Sequence, residues 1–242
     1  MRTKPIFTPF TTKRAFEKIS EQITALIFAG TLKPGDRLPS ERELAAQFNT
    51  GRMVVREALR ILEQSGFISV KQGSLGGAFI KEMDSTVLKK SIADMLKTGN
   101  ITIQNLTEAR IGIEGVILEL ATARRSKEDL ESLRKSIDDA EQEIMQGRRP
   151  YEHSIRFHLL LAKASKNPLF EMIVESIADV MKSFILAQEQ DKKFNLKFLN
   201  HHKQIFEAIE NRNIKIARKL LKEHFHDFEK KYLKGKVGVR GR

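Results

Sequence analysis

His153 and His158 stand five positions apart in the stretch HSIRFH, in a chain with six histidines and no cysteine. Imidazole nitrogens can hold a borderline metal ion, and without a thiolate any metal must be bound by His, Asp or Glu. The spacing restricts the arrangement. Positions five apart on a helix diverge by about 140°, so at most one of these two rings can face a common ion. Ser154 shares the face of His158 one turn earlier. A second chemistry is available in GRMVVREALRILEQSG, where Arg52, Arg56 and Arg60 fall on one helical side. A guanidinium fork can donate two parallel hydrogen bonds to guanine O6 and N7, or to a phosphate without reading sequence.

The elements that must position these groups follow from length and pattern. A chain of 242 residues with 40% hydrophobic content suits two modest cores better than one large one. No apolar run reaches the eighteen or so residues needed to span a bilayer, and MRTKPIFTPF lacks the apolar core of a secretory signal. The expectation is a soluble protein of a reducing cytoplasm. The net charge of +12 is unevenly spread: +5 over residues 1–80, +2 over 81–227 and +5 over 228–242. Basic ends around a nearly balanced middle suit a polyanion such as DNA. KKYLKGKVGVRGR reads as a helix end followed by a flexible basic tail.

In the first eighty residues, Phe16, Ile19, Ile23, Leu26 and Ile27 recur at helical spacing before Gly30. Ser40 and Glu43 form a capping box that starts a second helix at 41, running to about Phe48. A third helix buries Val55, Ala58, Leu59 and Leu62 and ends at Gly66, leaving Arg52, Met53, Arg56 and Arg60 outside. FISV and AFI are short strands joined by the glycine-rich KQGSLGG. Three helices and a two-stranded wing make a winged helix-turn-helix, whose third helix enters the major groove. On periodicity alone, Arg52 and Arg56 fit a solvated helix face equally well.

The blocks GTLKPGDRLPSERELAAQF, GRMVVREALRILEQSGFI and QGSLGGAFI resemble, in order and separation, the DNA-binding domain of the GntR family of bacterial transcription regulators. The resemblance covers nearly all of residues 12–80. It implies that Arg42, Arg52, Met53, Arg56, Gln72 and Gly73 occupy DNA-contacting positions. Where the family commonly carries Ser before the first recognition arginine and a Thr-Pro pair after it, this chain has Gly51 and Met53-Val54.

Beyond the wing, Val87, Leu88, Ile92, Met95 and Leu96 define a short linker helix over 86–97. From about 103 the pattern is helical throughout. Ser126 with Asp129 caps one helix, GRRP at 147–150 breaks it, Asn167-Pro168 opens another, and NRN at 211–213 joins the last two. The expected fold is therefore mainly α: an N-terminal winged helix-turn-helix at 1–80, a linker with a short helix at 81–102, an antiparallel bundle of six or seven helices at 103–232, and a basic tail at 233–242.

LTEARIGIEGVILELATARR, IRFHLLLAKASKNPLF, HKQIFEAIENRN and IARKLLKEHF resemble the FCD effector domain of the FadR-like branch of the same family. That resemblance implies a cavity in the bundle for a small organic acid or acyl ligand, often beside a divalent metal. It places Arg110 and Glu114 on the helix lining the pocket, and His158, His202 and His224 on three of four customary metal positions. The fourth is customarily Asp and is Ser154 here. Three neutral imidazoles suit zinc or nickel. The faces agree with this set. His202 aligns with Ile205 and Ile209, His224 with Ala217, Leu220, Leu221 and Phe228, and the two lie roughly 15 and 18 Å from the hairpin centre at 212, almost level. His153 and His226 have mixed or polar neighbours and read as surface residues; His201 fits either class.

The implied function is a ligand-responsive regulator, most often a repressor in such families, binding a palindromic operator as a homodimer, with a small carboxylate effector and no membrane association. Metal-free relatives that take acyl-CoA-type effectors provide the first alternative. A metal-dependent enzyme is the second, disfavoured because no pocket carboxylate is independently supported as a general base.

Overall fold

The computed structural model describes residues 15–73, 76–189 and 191–233. Ser74 and Leu75 of the expected wing loop, and the basic tail from 234 onward, lie outside the described residues. The chain divides into two compact units, one up to Val87 and one from Leu88.

In the first unit, α1 spans Ala15–Phe28, α2 Glu41–Gln47 and α3 Arg52–Gln64. The capping box at α2 is formed: the Glu43 N–H donates to the Ser40 hydroxyl at 3.3 Å, and Glu43 accepts from the Ser40 backbone N–H at 2.8 Å. α3 buries Val55, Ala58, Leu59 and Leu62 against Ile19 and Ile23 of α1 and Leu44 of α2, with Arg52, Met53, Arg56 and Arg60 exposed. Gly66 stops α3 at φ +79°, a conformation that costs a side-chain-bearing residue most. β1 (Ile68–Lys71) and β2 (Gly77–Ile80) pair antiparallel, with Ile68 opposite Ile80 and Lys71 opposite Gly77. Residues 36–38 extend along the outer edge of β2: Leu38 N–H donates to Ala78 O, and Ile80 N–H to Asp36 O, both at 2.8 Å.

α4 spans Thr86–Lys97, matching the span expected for the linker helix. The second unit continues with α5 (Ile103–Arg124), α6 (Lys127–Met145), α7 (Tyr151–Ala164), α8 (Pro168–Leu186), α9 (Lys192–Glu210) and α10 (Ile214–Tyr232). Five of these starts have a capping side chain. Thr102 and Asn105 cap α5 reciprocally, Ser126 and Asp129 cap α6, Asn167 accepts from Leu169 N–H ahead of Pro168, Asp191 caps α9 and Asn213 caps α10. α5 touches α7, α8, α9 and α10, which explains why its apolar residues run around the whole helix and not along one stripe. The main core is built from Ile117 and Leu118 of α5, Leu133 and Ile137 of α6, Phe157 and Leu161 of α7, and Ile205 and Ile209 of α9. Each such side chain contributes about 1.5–3 kcal/mol by leaving water. Among the described residues, no helix is long and apolar enough to cross a membrane.

Candidate functional site

Inside the helical unit, α5 carries polar groups where a core helix ordinarily carries none. Arg110 and Glu114 are one turn apart and only 5% and 1% exposed. Arg110 Nε donates to Glu114 Oε1 at 2.7 Å, and Glu114 Oε2 lies 2.6 Å from Nδ1 of His158 on α7. Burial pushes the Glu114 carboxyl up, but the Arg110 guanidinium and the hydrogen bonds from His158 and Arg110 outweigh it and hold the pKa at about 2. A carboxylate can only accept, so Nδ1 of His158 carries a proton, and Nε2 is the ring nitrogen left to meet an ion.

That ring meets two others. His158, His202 of α9 and His224 of α10 are all buried, with ring centroids 5.1 Å apart for 158 and 202, 5.2 Å for 158 and 224, and 4.8 Å for 202 and 224. Burial, reinforced by the neighbouring positive groups, lowers the pKa of His202 and His224 well below the ordinary value, so both are neutral. His202 Nε2 and His224 Nδ1 are buried without a hydrogen-bond partner, a state that costs about 1–3 kcal/mol per group. One nitrogen from each ring lies within 4.8 Å of the others. Nitrogens sharing a tetrahedral first-row ion are about 3.4 Å apart, so the rings need close by little more than an ångström. Three imidazoles, one oriented by a buried carboxylate, form a donor set that fits a divalent ion.

The expected histidine choice can be followed residue by residue. His153, on the opposite side of α7, is half-buried with Nδ1 3.8 Å from Asp139 of α6. His201 is buried, with Nε2 3.7 Å from Asp227, and touches the outer side of His224 at 5.9 Å between centroids. His226 is exposed.

The triad opens into a cavity of about 110 Å³. Arg110, His158, His202 and His224 form its deep end, and Ser154 lines it one turn before His158. Arg110 Nη2 lies 2.7 Å from Glu114 Oε1 but is not angled to donate to it, and is left buried and unpartnered. The guanidinium also lies over the Phe225 ring at 4.9 Å. Glu114 itself does not line the cavity, since both its oxygens are engaged behind it. Its place is behind Arg110 and His158, orienting both.

In the first unit, Arg42, Arg52, Met53, Arg56, Gln72 and Gly73 are all exposed. Sequence reasoning missed two supports. Glu41 of α2 accepts from Arg56 Nε at 3.0 Å and Nη2 at 2.7 Å. Arg37 donates through Nη2 to Gly76 O at 2.5 Å and faces the Phe79 ring at 5.9 Å, fastening the base of the wing. The available signal was Glu41 itself, an acidic residue in the first turn of a short helix otherwise set to meet a polyanion.

A three-helix winged unit with an arginine-bearing third helix, joined in sequence to a helical unit with a histidine-based cavity, defines a two-part DNA-binding regulator. Residues 15–80 match the bacterial regulatory proteins of the gntR family, and residues 105–227, about half the chain, match the FCD domain. The chain belongs to the GntR family of bacterial transcription regulators and carries an FCD effector-binding domain; its kin are regulators and not enzymes. Among them, the HTH-type transcriptional regulator LutR of Bacillus subtilis is 26% identical over 212 residues, covering 84% of this chain and 94% of its own. The Uxu operon transcriptional regulator of Escherichia coli is 27% identical, with 91% and 88% covered. The HTH-type transcriptional repressor NanR of Cronobacter sakazakii is 27% identical, with 90% and 85% covered. Of solved structures, Streptococcus agalactiae GntR aligns with a TM-score of 0.65 at 26% identity, covering 89% of this chain and 99% of that one.

Proposed function

We propose that this protein is a cytoplasmic, FadR-like repressor that binds a pseudo-palindromic operator as a homodimer and responds to a small carboxylate held beside a divalent metal. The observation that carries the effector reading is the buried constellation of His158, His202, His224 and Arg110 lining one cavity, with nitrogens of Arg110, His202 and His224 left unpartnered. His158, His202 and His224 would hold zinc or nickel, with Ser154 where a carboxylate would otherwise offset charge. When bound, the ion supplies a Lewis-acidic position for a carboxylate oxygen. Arg110 adds a fixed cation, Glu114 keeps Arg110 and His158 aligned, and the surrounding apolar helices exclude water. A repressor role is supported by the likeness to the transcriptional repressor NanR, and dimerisation by the apolar face of α5, where Ala109, Gly112 and Val116 adjoin Phe170 of α8.

The sensory half can influence the DNA-reading half only if the effector binds their DNA-competent and incompetent arrangements unequally. α4 is the proposed coupling element, because it is the helical segment that joins them in sequence. Metal content of untagged protein after zinc or nickel loading, compared with His158→Ala and His153→Ala, tests the site. Loss of metal only in His158→Ala is expected. A metal-free wild type under loading, or loss only in His153→Ala, refutes it. Light scattering in solution checks the dimer.

A further inference from the structure

Arg110 and the three histidines gather at the deep end of the cavity, and much of the wall leading outward is apolar. Ile155 of α7, Ile185 and Leu186 of α8, and Phe194 and Phe198 of α9 supply a hydrocarbon lining, with Phe228 and Tyr232 of α10 completing it. The rings form a continuous surface: centroids are 4.4 Å apart for Phe194 and Phe198, 5.2 Å for Phe194 and Tyr232, and 5.1 Å for Phe228 and Tyr232.

Polar side chains also line these walls, Ser154 and Asn195 among them, but several of the others are occupied. Arg149 donates Nη1 to Leu186 O at 2.6 Å and Nη2 to Gln188 O at 3.0 Å. Tyr151 donates its hydroxyl to Ala178 O at 3.2 Å, and Gln188 Nε2 to Phe184 O at 2.8 Å. Glu189 adds a negative charge at the rim. A ligand bearing hydroxyl groups along its body would lose hydration here and regain few hydrogen bonds, and a site lacking partners discriminates against such groups. A second carboxylate pointing outward would meet Glu189, with Arg149 already engaged. The cavity volume, about 110 Å³, is comparable with the roughly 150 Å³ known to admit a benzene-sized molecule.

We infer that the ligand of this cavity is a small monocarboxylate with an apolar, preferably flat body, in contrast to a polyhydroxylated acid. The inference rests on the effector reading above, which supplies the anchor for the carboxylate, while the wall residues supply the selection. Aromatic faces on α9 and α10 favour a planar body through stacking, and the unpartnered Arg110 Nη2 has room for one carboxylate group.

Calorimetric titration of the full-length, zinc-loaded protein at fixed pH and salt, with phenylacetate and hexanoate against gluconate and glucuronate, tests it. The apolar acids should bind at least 10-fold more tightly than the hydroxylated ones. Ile155→Asn and, separately, Phe194→Asn should each narrow that gap about 5-fold or more, by giving hydroxyl groups a partner. Hydroxylated acids binding as tightly as the apolar pair, or more tightly, would overturn the inference while leaving the carboxylate anchor standing. If none of the four acids binds, the effector reading itself fails along with it.

Discussion

Glu41 of α2 grips the side edge of Arg56 on α3, with carboxylate oxygens 3.0 Å from Nε and 2.7 Å from Nη2. Both partners respond: hydrogen bonding to Arg56 lowers the Glu41 pKa, and Glu41 raises that of Arg56. This engagement leaves the Nη1 end of the fork, and the second Nη2 hydrogen, directed away from Glu41. A carboxylate on a DNA-facing surface weakens attraction to phosphates, so its effect must lie in orientation. Arg56→Ala is expected to weaken operator binding by about 1–3 kcal/mol. Glu41→Gln should instead bind random-sequence duplex somewhat more tightly and discriminate less at the base pair that Arg56→Ala also affects. Enrichment from a randomised duplex pool measures this; an unchanged motif in Glu41→Gln would remove Glu41 from any orienting role.

Arg37 lies before α2, outside the recognition helix, yet its removal should weaken DNA binding. Its guanidinium fixes Gly76 O, and a Cβ at Gly77 would come within 2.9 Å of Arg37 Nε, so the wing base is packed around this side chain. Arg37→Ala is expected to speed amide exchange over 76–80 and to lower operator affinity several-fold, with little change in overall melting. Unaltered exchange there would show that the β-pairing alone holds the wing.

Glu114→Gln removes the charge shared by Arg110 and His158 at a buried position. Breaking such a pair from one side costs about 3–5 kcal/mol, and loss of a carboxylate behind a metal-binding imidazole about 10–100-fold in metal affinity. Denaturant unfolding and chelator competition should both register the change. Retention of both properties would mean that His158 is oriented by something else.

Asp129 links the cap of α6 to the turn before α8: it accepts from Ser126 N–H at 2.8 Å and from Lys166 Nζ at 2.5 Å. Burial raises its pKa, but the Lys166 and Ser126 bonds outweigh this and leave it below the ordinary 3.8. A lowered carboxylate pKa means that the stabilisation is complete above the unfolded-state value and is lost as pH falls through the folded one. With Lys166 partly in water, Asp129→Asn should cost roughly 1 kcal/mol at pH 7 and progressively less as pH falls below the ordinary carboxylate range. Melting curves across that range check the sign.

Elements with local causes are legible in the sequence. The Ser40–Glu43 box, the Asn167-Pro168 start, and the span 86–97 depend on residues within a turn of one another. The opposed faces of His153 and His158 were equally plain, because helical period alone separates them. The supports behind the site were not. Glu114 meets His158 across 44 positions and Glu41 meets Arg56 across 15, and no periodicity within one helix reports what a neighbouring helix brings. Arg110 with Glu114 reads from spacing as an ordinary one-turn surface pair; only the enclosure of α5 on several sides turns it into a buried ion pair. His201 was ambiguous for the same reason, since its burial depends on the packing of α10.

The cavity draws its two ends from different parts of its helices. His158, His202 and His224 lie well inside α7, α9 and α10, whereas Leu186 closes α8, Phe194 opens α9 and Tyr232 ends α10. Interior positions are held by hydrogen-bonded turns on both sides, while terminal turns fray and tolerate exchange. A lineage carrying this fold can therefore drift in which molecular tail it accepts while its means of gripping a carboxylate stays put. For anyone building a biosensor from it, the helix termini around the rim are the natural positions to randomise.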